Sequence, residues 1–436
     1  MSKHTKPVGN AIPILLIASI SAPVVYADTQ PKVHSGPLGM EYLMSVGADY
    51  GHEENITLQS NPDDAINSNF YSVSPEFRMQ SQFNDDVYSL SYSGDFKEYE
   101  SSAEDSYQDH KISSENLWRF GTRHQLELNL SQSWDHEVRG DDSTGDLSNE
   151  QLEYYGVEEA LLTESTVGSL NYKYGALNSR GALEMGWSYR DMTFRDLDSV
   201  ASNTSTPDFI DYLKGEEWAS STLSVGISDN YSSDTTFRYS LIRHHIMYKA
   251  NSEKDTYEYY LRMGIKSNLS STVSLDGNIS WLHKTFINLE NADSFDGFNW
   301  DANLIWEPED YSIWRATTSQ VIDDASVGGE YTLKTSAGIN WQHYWGGDRF
   351  STLAGYEYIL EKHKKQDSDR EDSSNQLSLT LSYDLRPSVN FSLQYLTLTE
   401  DSNHEYDNFY ISETHNPITQ LGYDQSKLVL TAKVQI

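Results

Sequence analysis

The side chains that most often carry out chemistry do not recur here at the spacings that catalysis or metal binding requires. His244 and His245 are adjacent, so in a strand they would face opposite sides and could not hold one ion together. The acidic run 367–372 has the composition of a calcium loop, but it lacks the glycine at the sixth position and contains Arg370, which leaves at most a weak surface site. Cysteine is absent, and so are the GxSxG, HExxH and phosphate-loop motifs.

We therefore expect a protein that is not an enzyme and that needs no metal or other cofactor. One enzymatic alternative stays open, a barrel hydrolase, because a Ser/His or Asp/His set assembled from distant parts of the chain leaves no mark in local spacing. The formal net charge of −35 at pH 7 argues against nucleic acid as a partner, since phosphates require a basic surface.

Charged side chains do recur at every second position of many short segments, with apolar side chains between them. In the segment 257–266, Tyr259 and Leu261 alternate with Glu258 and Arg262. Because successive side chains of a strand point to opposite faces, each such segment predicts a strand with one apolar and one polar face. If the sheet closes with its apolar face outward, the following charged side chains are expected to line the lumen: Glu41, Asp49, Glu76, Arg78, Asp95, Glu115, Glu127, Glu184, Arg190, Arg238, Arg262, Asp276, Asp301 and Glu357.

The charges of this expected lumen allow two roles. A lumen of mixed charge with an acidic excess would disfavour small anions and would admit neutral or cationic solutes. The same charges could instead pair across the barrel and hold it rigid, and spacing alone does not decide between these roles. A barrel of about eighteen strands has a bore of about 15 Å, which would admit an extended sugar chain provided that no loop fills it.

The elements that would position these side chains are about eighteen strands of about ten to twelve residues, spread from Met40 to the end of the sequence. Short polar connections such as 121–122 and 346–348 alternate with long acidic ones such as 136–164 and 399–424. Strands of this length, tilted by about 40°, match the apolar thickness of a membrane barrel, whereas the strands of a soluble sandwich average about five or six residues. We therefore predict an all-β fold, a transmembrane antiparallel up-and-down β-barrel with short periplasmic turns and long extracellular loops.

The N-terminus has the pattern of a secretory signal peptide. Lys3 and Lys6 precede an apolar run over 11–25, which a small-residue cleavage pattern follows. No later stretch approaches the length of about 18 apolar residues that a transmembrane helix needs. We predict a signal peptide over 1–27, a short periplasmic segment over 28–39 and the barrel over 40–436, in the outer membrane of a Gram-negative cell.

Two of the long connections could narrow the lumen. Ser148 and Gln151 have capping-box spacing ahead of an apolar stretch, which predicts a short helix within 148–162. The segment 193–217 is apolar enough to fold inward. The alternative for both loops is a surface role, in which they shield the cell and leave the lumen open. The segment before Met40 is too short to hold the plug domain of a gated receptor.

Several short motifs, spread over the chain after the signal peptide, form an ordered set. They are Gly47-Ala48-Asp49-Tyr50, Glu54-Asn55-Ile56, Ser74-Pro75, Trp306-Glu307-Pro308, Arg370, Asp372, Tyr383, Ser402-Asn403 and Tyr406-Asp407-Asn408. This set resembles that of outer-membrane β-barrel porins of the EpsL type, which are encoded beside exopolysaccharide synthesis genes. The resemblance implies a channel that takes part in the export of an exopolysaccharide or capsule polymer, as in biofilm formation. It implies outer-membrane lipid, the polysaccharide chain, and periplasmic polysaccharide-export and co-polymerase proteins as partners.

Two other functions stay open on the sequence. One is a general diffusion porin for small sugars, and the other is a surface scaffold or adhesion barrel in which the acidic loops are the functional part. Loss of the gene distinguishes polysaccharide export from sugar diffusion. It would abolish surface polysaccharide in the first case and sugar uptake in the second. A barrel that conducts no current in a planar bilayer would favour the scaffold.

Overall fold

The computed structural model describes residues 34–36, 39–176, 179–289, 294–324, 331–347, 349–364 and 369–435. The predicted signal peptide, 1–27, lies outside this described part, as do residues 28–33 and 37–38 of the segment that follows it. At the start of the described part, His34 and Ser35 pair with Tyr42 and Glu41 of the first long strand.

Eighteen long strands form one closed antiparallel sheet. They are β1 (Met40–Glu54), β2 (Ser68–Phe83), β3 (Asp86–Tyr99), β4 (Tyr107–Phe120), β5 (His124–Glu137), β6 (Leu161–Tyr174), β7 (Gly181–Arg195), β8 (Trp218–Asn230), β9 (Thr235–Tyr248), β10 (Thr256–Asn268), β11 (Val273–Phe286), β12 (Phe295–Glu309), β13 (Ser312–Asp324), β14 (Tyr331–Trp345), β15 (Phe350–Lys364), β16 (Glu371–Arg386), β17 (Val389–Ser402) and β18 (Tyr423–Gln435). Each strand pairs with its neighbours in sequence, and β1 pairs with β18 from Ser45–Gln435 to Glu54–Ser426, which closes the ring. The predicted fold class and number of strands are confirmed.

The two faces of the sheet differ as the alternating pattern predicts. On β10, Leu261 is 51% exposed on the outer surface, whereas the preceding Tyr260 is 7% exposed on the inner one. The outer surface is therefore a broad apolar belt, which suits contact with acyl chains. The buried apolar clusters of the described residues lie instead toward the end of the barrel that carries the long loops.

Exposed aromatic side chains gather beside the short turns. Phe83, Phe120, Tyr231, Tyr311 and Trp345 all lie within or next to these connections and are well exposed. An aromatic ring suits the headgroup layer of a membrane because it is apolar with a polar edge or tip. These side chains mark one boundary of the apolar belt.

The strands are 13 to 16 residues long, which is longer than predicted. In β17, the outward side chains Phe391 and Leu393 are apolar and exposed, but Thr399 and Asp401 on the same face are polar. The hydrogen-bonded ladder thus continues beyond the apolar belt. Sequence reasoning ended the strand too early because the alternation of polarity stops where the belt stops.

The connections at the two ends of the barrel differ in length. At one end, turns of two to six residues join the strands, from 84–85 to 387–388. At the other end lie the long loops, and four of them are joined by contacts with one another. These are the β1–β2 loop (55–67), the β5–β6 loop (138–160), the β7–β8 loop (196–217) and the β17–β18 loop (403–422).

Short helices and one hairpin structure these long loops. They are α1 (Asn149–Tyr154) in the β5–β6 loop, α2 (Leu197–Asn203) and α3 (Asp208–Glu216) in the β7–β8 loop, and the pair Tyr406–Asn408 and Ile418–Gln420 in the β17–β18 loop. Single 3-10 turns occur at Pro62–Asp64, Ala103–Asp105, Asp142–Thr144 and Ser252–Lys254. The predicted capping box is present, because Ser148 Oγ accepts the N–H of Gln151 and Gln151 Oε1 accepts the N–H of Ser148. No helix among the described residues is long and apolar enough to cross a membrane.

Candidate functional site

The fourteen charged residues expected in the lumen occupy strand positions on the face opposite to the exposed apolar side chains. The structure joins most of them to partners on the same or a nearby strand, and four of them belong to one connected set of contacts on β9–β12. Ion pairs link Arg78 to Glu115, Lys433 to Glu76, Lys173 to Glu184, Arg238 to Asp276, and Arg262 to Asp301. Asp49, Asp95 and Glu127 accept hydrogen bonds from Ser72, Ser74 and Asn129, and Arg190 lies 5.4 Å from the centre of the Trp218 ring. The side chains of Glu41 and Glu357 make no hydrogen bond or ion pair with the described residues.

The β5–β6 loop runs from one wall of the barrel to the opposite wall. Near its start, the Arg139 guanidinium donates to both carboxylate oxygens of Asp105, at 2.8 Å each. At its far end, the Asp146 carboxylate lies 3.2 Å from Nη2 of Arg370, which directly precedes β16. Because β16 stands about half-way around the ring from β5 and β6, the loop crosses the mouth of the barrel.

Arg370 joins three elements at this far wall. Besides Asp146, its guanidinium donates to Asp372 of β16 at 2.8 Å and to Asp407 of the β17–β18 loop at 3.1 Å. The side chain is almost buried. A guanidinium carries five donors in a planar fork and stays charged at any ordinary pH, so it can hold several carboxylates at once. One cation thus fixes the tip of the crossing loop to the opposite wall.

A cluster of buried apolar side chains joins three of the long loops. Leu152 and Tyr155 of the β5–β6 loop pack with Phe209 and Leu213 of α3 and with Ile411 of the β17–β18 loop. The rings of Tyr155 and Phe209 stack with their centroids 4.8 Å apart. The β7–β8 and β17–β18 loops start from opposite walls, so this packing also spans the mouth. Burial of one large apolar side chain contributes about 1.5–3 kcal/mol of stability. The cluster contains several such side chains, so it stabilises the joined arrangement of the three loops.

Hydrogen bonds reinforce the junction. The Asp208 carboxylate accepts the Ser412 hydroxyl at 2.8 Å and lies 2.8 Å from Nδ1 of His415. In the β1–β2 loop, Gln59 donates from its amide to the carbonyl of Leu147, at 3.3 Å. We call the joined β1–β2, β5–β6, β7–β8 and β17–β18 loops the loop cap.

The loop cap covers the mouth of the barrel, which is one of the two alternatives that the sequence leaves open for the long loops. Of the two alternatives for the long loops, they adopt inward folding, because the apolar side chains of α3 find cover only against loops from the other wall. Sequence reasoning gave no sign of Asp146 or Asp208, since one acidic residue among many in a loop carries no positional signal. Arg370 and Asp407, in contrast, belong to the motifs that carry the family resemblance.

Burial and hydrogen bonding shift the pKa values of two carboxyl groups in the loop cap in opposite directions. Burial raises the pKa of Asp146 above the ordinary range, and the nearby Arg370 only partly offsets this effect. Hydrogen bonds from Ser412 and His415 hold the pKa of Asp208 below its ordinary value. The closed loop cap is therefore most stable when Asp146 is protonated and Asp208 is charged.

The two adjacent histidines and Asp372 of the acidic run are engaged in contacts with other side chains. His244 Nδ1 lies 2.7 Å from the Thr222 hydroxyl, while the His245 ring lies against that of Tyr257 on the other face of the strand. In the acidic run, Asp367 lies outside the described residues, and Asp372 is bound by Arg370. The described part of the chain contains no group of three or more His, Asp or Glu side chains that could hold a metal ion.

Comparisons with known proteins find similarity to outer-membrane barrels. A family model described as "Putative beta-barrel porin 2" matches residues 241–414. Among solved structures, the chain is similar to the outer membrane protein OpdK of Pseudomonas aeruginosa, with 10% identity and a TM-score of 0.48 over 91% of this chain and 99% of that chain. It is also similar to OccAB3 of Acinetobacter baumannii, with 10% identity and a TM-score of 0.45 over 91% of this chain and 99% of that chain. No curated protein matches the chain.

Proposed function

We propose that this protein is an outer-membrane channel of the porin type, through which small hydrophilic solutes, including small sugars, diffuse. The observation that carries the proposal is a single closed ring whose outer face is an apolar belt and whose inner face is polar and charged. Such an interior is stable only when water fills it or when its charges are paired. The match of residues 241–414 to a porin family model supports the same class.

The loop cap favours small solutes over a polymer. Loops from opposite walls meet through the contacts of Arg370, Tyr155 and Asp208, so a solute must pass between them. We place the cap at the outer mouth and the short turns on the periplasmic side. The fourteen charged side chains line the path below the cap, and the acidic excess of the chain favours neutral or cationic solutes over small anions.

Reconstitution of the purified protein tests this function. In planar bilayers we expect discrete conductance steps with a preference for cations. In a liposome swelling assay we expect entry of monosaccharides and much slower entry of oligosaccharides, because the cap narrows the mouth. A protein that inserts into liposomes but gives neither current nor swelling would contradict the channel function and would favour a scaffold.

Export of an exopolysaccharide is the second candidate. It is favoured by one observation, that Arg370, Asp372 and Asp407 of the resembling motifs all meet in the loop cap, together with Asn55, whose amide donates to the carbonyls of Gln59 and Asp424. A shared set of residues at the mouth suits a gate that would open for a polymer. Deletion of the gene decides between the candidates, since loss of surface polysaccharide with normal sugar uptake would favour export.

A further inference from the structure

On the inner face of β9–β12, from near the short turns to the middle of the strands, five polar side chains form one continuous chain of contacts. Arg238 Nη2 contacts the Asp276 carboxylate and lies 3.3 Å from Oδ1 of Asn278. The Asn278 amide donates to one oxygen of Asp301 at 2.7 Å, and Arg262 donates to the other at 2.7 Å. We call these five residues the polar track.

The strand register explains why the polar track is continuous. Arg238 stands level with Gly264, Gly264 with Asn278, and Asn278 with Asp301, so one row crosses four strands. All members of this row share the inner face because paired residues of neighbouring strands point the same way. The row continues to Ser319 of β13.

Gly264 gives the polar track its space. A Cβ at this position would lie 2.2 Å from Oδ1 of Asn278 and 3.1 Å from Nε of Arg238. The arginine side chain must pass over β10 to reach its partners on β11, and the absence of a side chain at Gly264 leaves room for it. A methyl group here would push Arg238 and Asn278 apart.

The charges of the polar track cancel, since two guanidinium groups face two carboxylates. It therefore has little net attraction for ions of either sign, but it presents alternating donors and acceptors to the lumen, where the Asp301 side chain is 50% exposed. A sugar hydroxyl can donate to a carboxylate while it accepts from a guanidinium, and charge-assisted hydrogen bonds of this kind are strong. This arrangement suits neighbouring hydroxyl groups of a neutral solute.

A buried amide beside the polar track adds unused hydrogen-bonding capacity. Asn299 stands level with Ser280, which in turn stands level with Arg262. It is 5% exposed, and neither its amide oxygen nor its amide nitrogen has a partner among the described residues. The Nε of Arg238 is likewise without a partner there. Buried polar atoms are normally paired, so a local rearrangement of these side chains would let them form further hydrogen bonds.

We propose that the polar track is a binding site for neutral, hydroxyl-rich solutes, a saccharide above all, on the inner wall of the lumen. The inference rests on the proposed channel function, because a solute reaches the site only through the lumen. The opposing view is that these ion pairs merely stiffen the wall.

Block of the ion current by a linear glucose hexamer tests the site. The hexamer is added on the short-turn side, so that it reaches the polar track without passing the loop cap. We expect reversible block of the wild-type channel. Asp301→Asn and Gly264→Ala should each raise the half-blocking concentration about tenfold, which corresponds to the loss of about one charge-assisted hydrogen bond.

Glu115→Gln is the matched control, because it breaks the Arg78–Glu115 pair on another part of the inner wall. This variant should leave the half-blocking concentration unchanged. An ion current that the hexamer does not block would overturn the binding site and leave the channel function standing. An equal change of the half-blocking concentration in Glu115→Gln and Asp301→Asn would do the same. Calorimetric titration of the hexamer into the protein in detergent micelles measures binding without conduction. Binding without current would overturn the channel function alone, and neither binding nor current would overturn both.

Discussion

At the scale of single residues, Arg370 and its three carboxylate partners show how few contacts fix the crossing loop. Asp146, Asp372 and Asp407 come from three different elements, and the Arg370 guanidinium between them donates a hydrogen bond to each. Removing one partner of a nearly buried ion pair leaves the remaining charges without compensation. The closed arrangement of the loop cap therefore depends strongly on the Arg370 side chain.

Arg370→Gln should loosen the cap. The loss of charge-assisted hydrogen bonds to three carboxylates should cost the closed arrangement about 2 kcal/mol or more, and single-channel conductance should rise. Arg315→Gln is the control, because Arg315 of β13 makes no ion pair with the described residues and is exposed. Equal conductance in both variants and the wild type would show that Arg370 does not hold the cap closed.

Conductance should also depend on pH through the two cap carboxylates. The raised pKa of Asp146 means that its contribution to closure is complete below the ordinary carboxyl pKa and is lost as pH rises through the raised value. The lowered pKa of Asp208 means that its contribution is present above the ordinary value and is lost as pH falls through the lowered one. The cap should be tightest near the ordinary carboxyl pKa of about 4.

We therefore expect conductance to rise as pH increases through the raised pKa of Asp146, because its carboxyl group then ionises. Asp146→Asn should flatten this rise, since the side chain no longer titrates. Asp208→Asn should keep the rise, because the contribution of Asp208 changes only at lower pH. A rise of the same size in Asp146→Asn as in the wild type would assign the effect to other groups.

At the scale of elements, the β5–β6 loop is the connection that crosses and narrows the mouth of the barrel. It combines the capped helix α1, the apolar contacts of Tyr155 and the ion pair of Asp146 in one connection. Loop segments of this kind tolerate shortening because they contribute nothing to the strand ladder.

Removal of residues 141–157, which leaves β5 and β6 intact, should widen the mouth. We expect conductance to rise by about twofold or more, since the crossing segment no longer occupies the lumen. Folding should be preserved, and the temperature at which the barrel unfolds in detergent provides the check. Unchanged conductance in a barrel that is still folded would mean that the loop does not limit passage.

At the scale of the whole molecule, the closed sheet sets which side chains meet lipid and which meet water. The pairing of Leu261 with Trp281 on the outer face and of Arg262 with Ser280 on the inner one keeps the two environments apart around the ring. The chain contains no cysteine, so single cysteines can be introduced and labelled without background.

Spin labels along β10 should report this alternation. Labels at Tyr259, Leu261 and Met263 should collide with oxygen, which concentrates in lipid, and labels at Glu258 and Arg262 should collide with a water-soluble relaxation agent. Electron paramagnetic resonance of the protein in lipid vesicles provides the measurement. A solvent signal at Leu261 would contradict the membrane barrel and every function built on it.

The sequence predicts the barrel well because a strand is a local pattern. Alternation over 257–281 predicts the β10–β11 hairpin, which the structure confirms. The capping box of Ser148 and Gln151 is local too, and it is also confirmed. Both features depend on neighbours within a few residues, which is the range over which sequence patterns are informative.

The loop cap could not be predicted in the same way. Asp208 and Ser412 meet only because the ring closes and brings loops from opposite walls together, although about 200 residues separate them in sequence. The same holds for Asp146 and Arg370. Long-range contacts between loops depend on the whole barrel, so local composition indicates only that a loop is apolar enough to fold inward.

The pairing of β1 with β18 has a consequence for how the protein is made. These strands lie at opposite ends of the barrel sequence, so the ring cannot close until its last strand has been synthesised. Until then two strand edges have unpaired backbone groups, which are open to aggregation. The unfolded chain should therefore require a chaperone until the ring has closed.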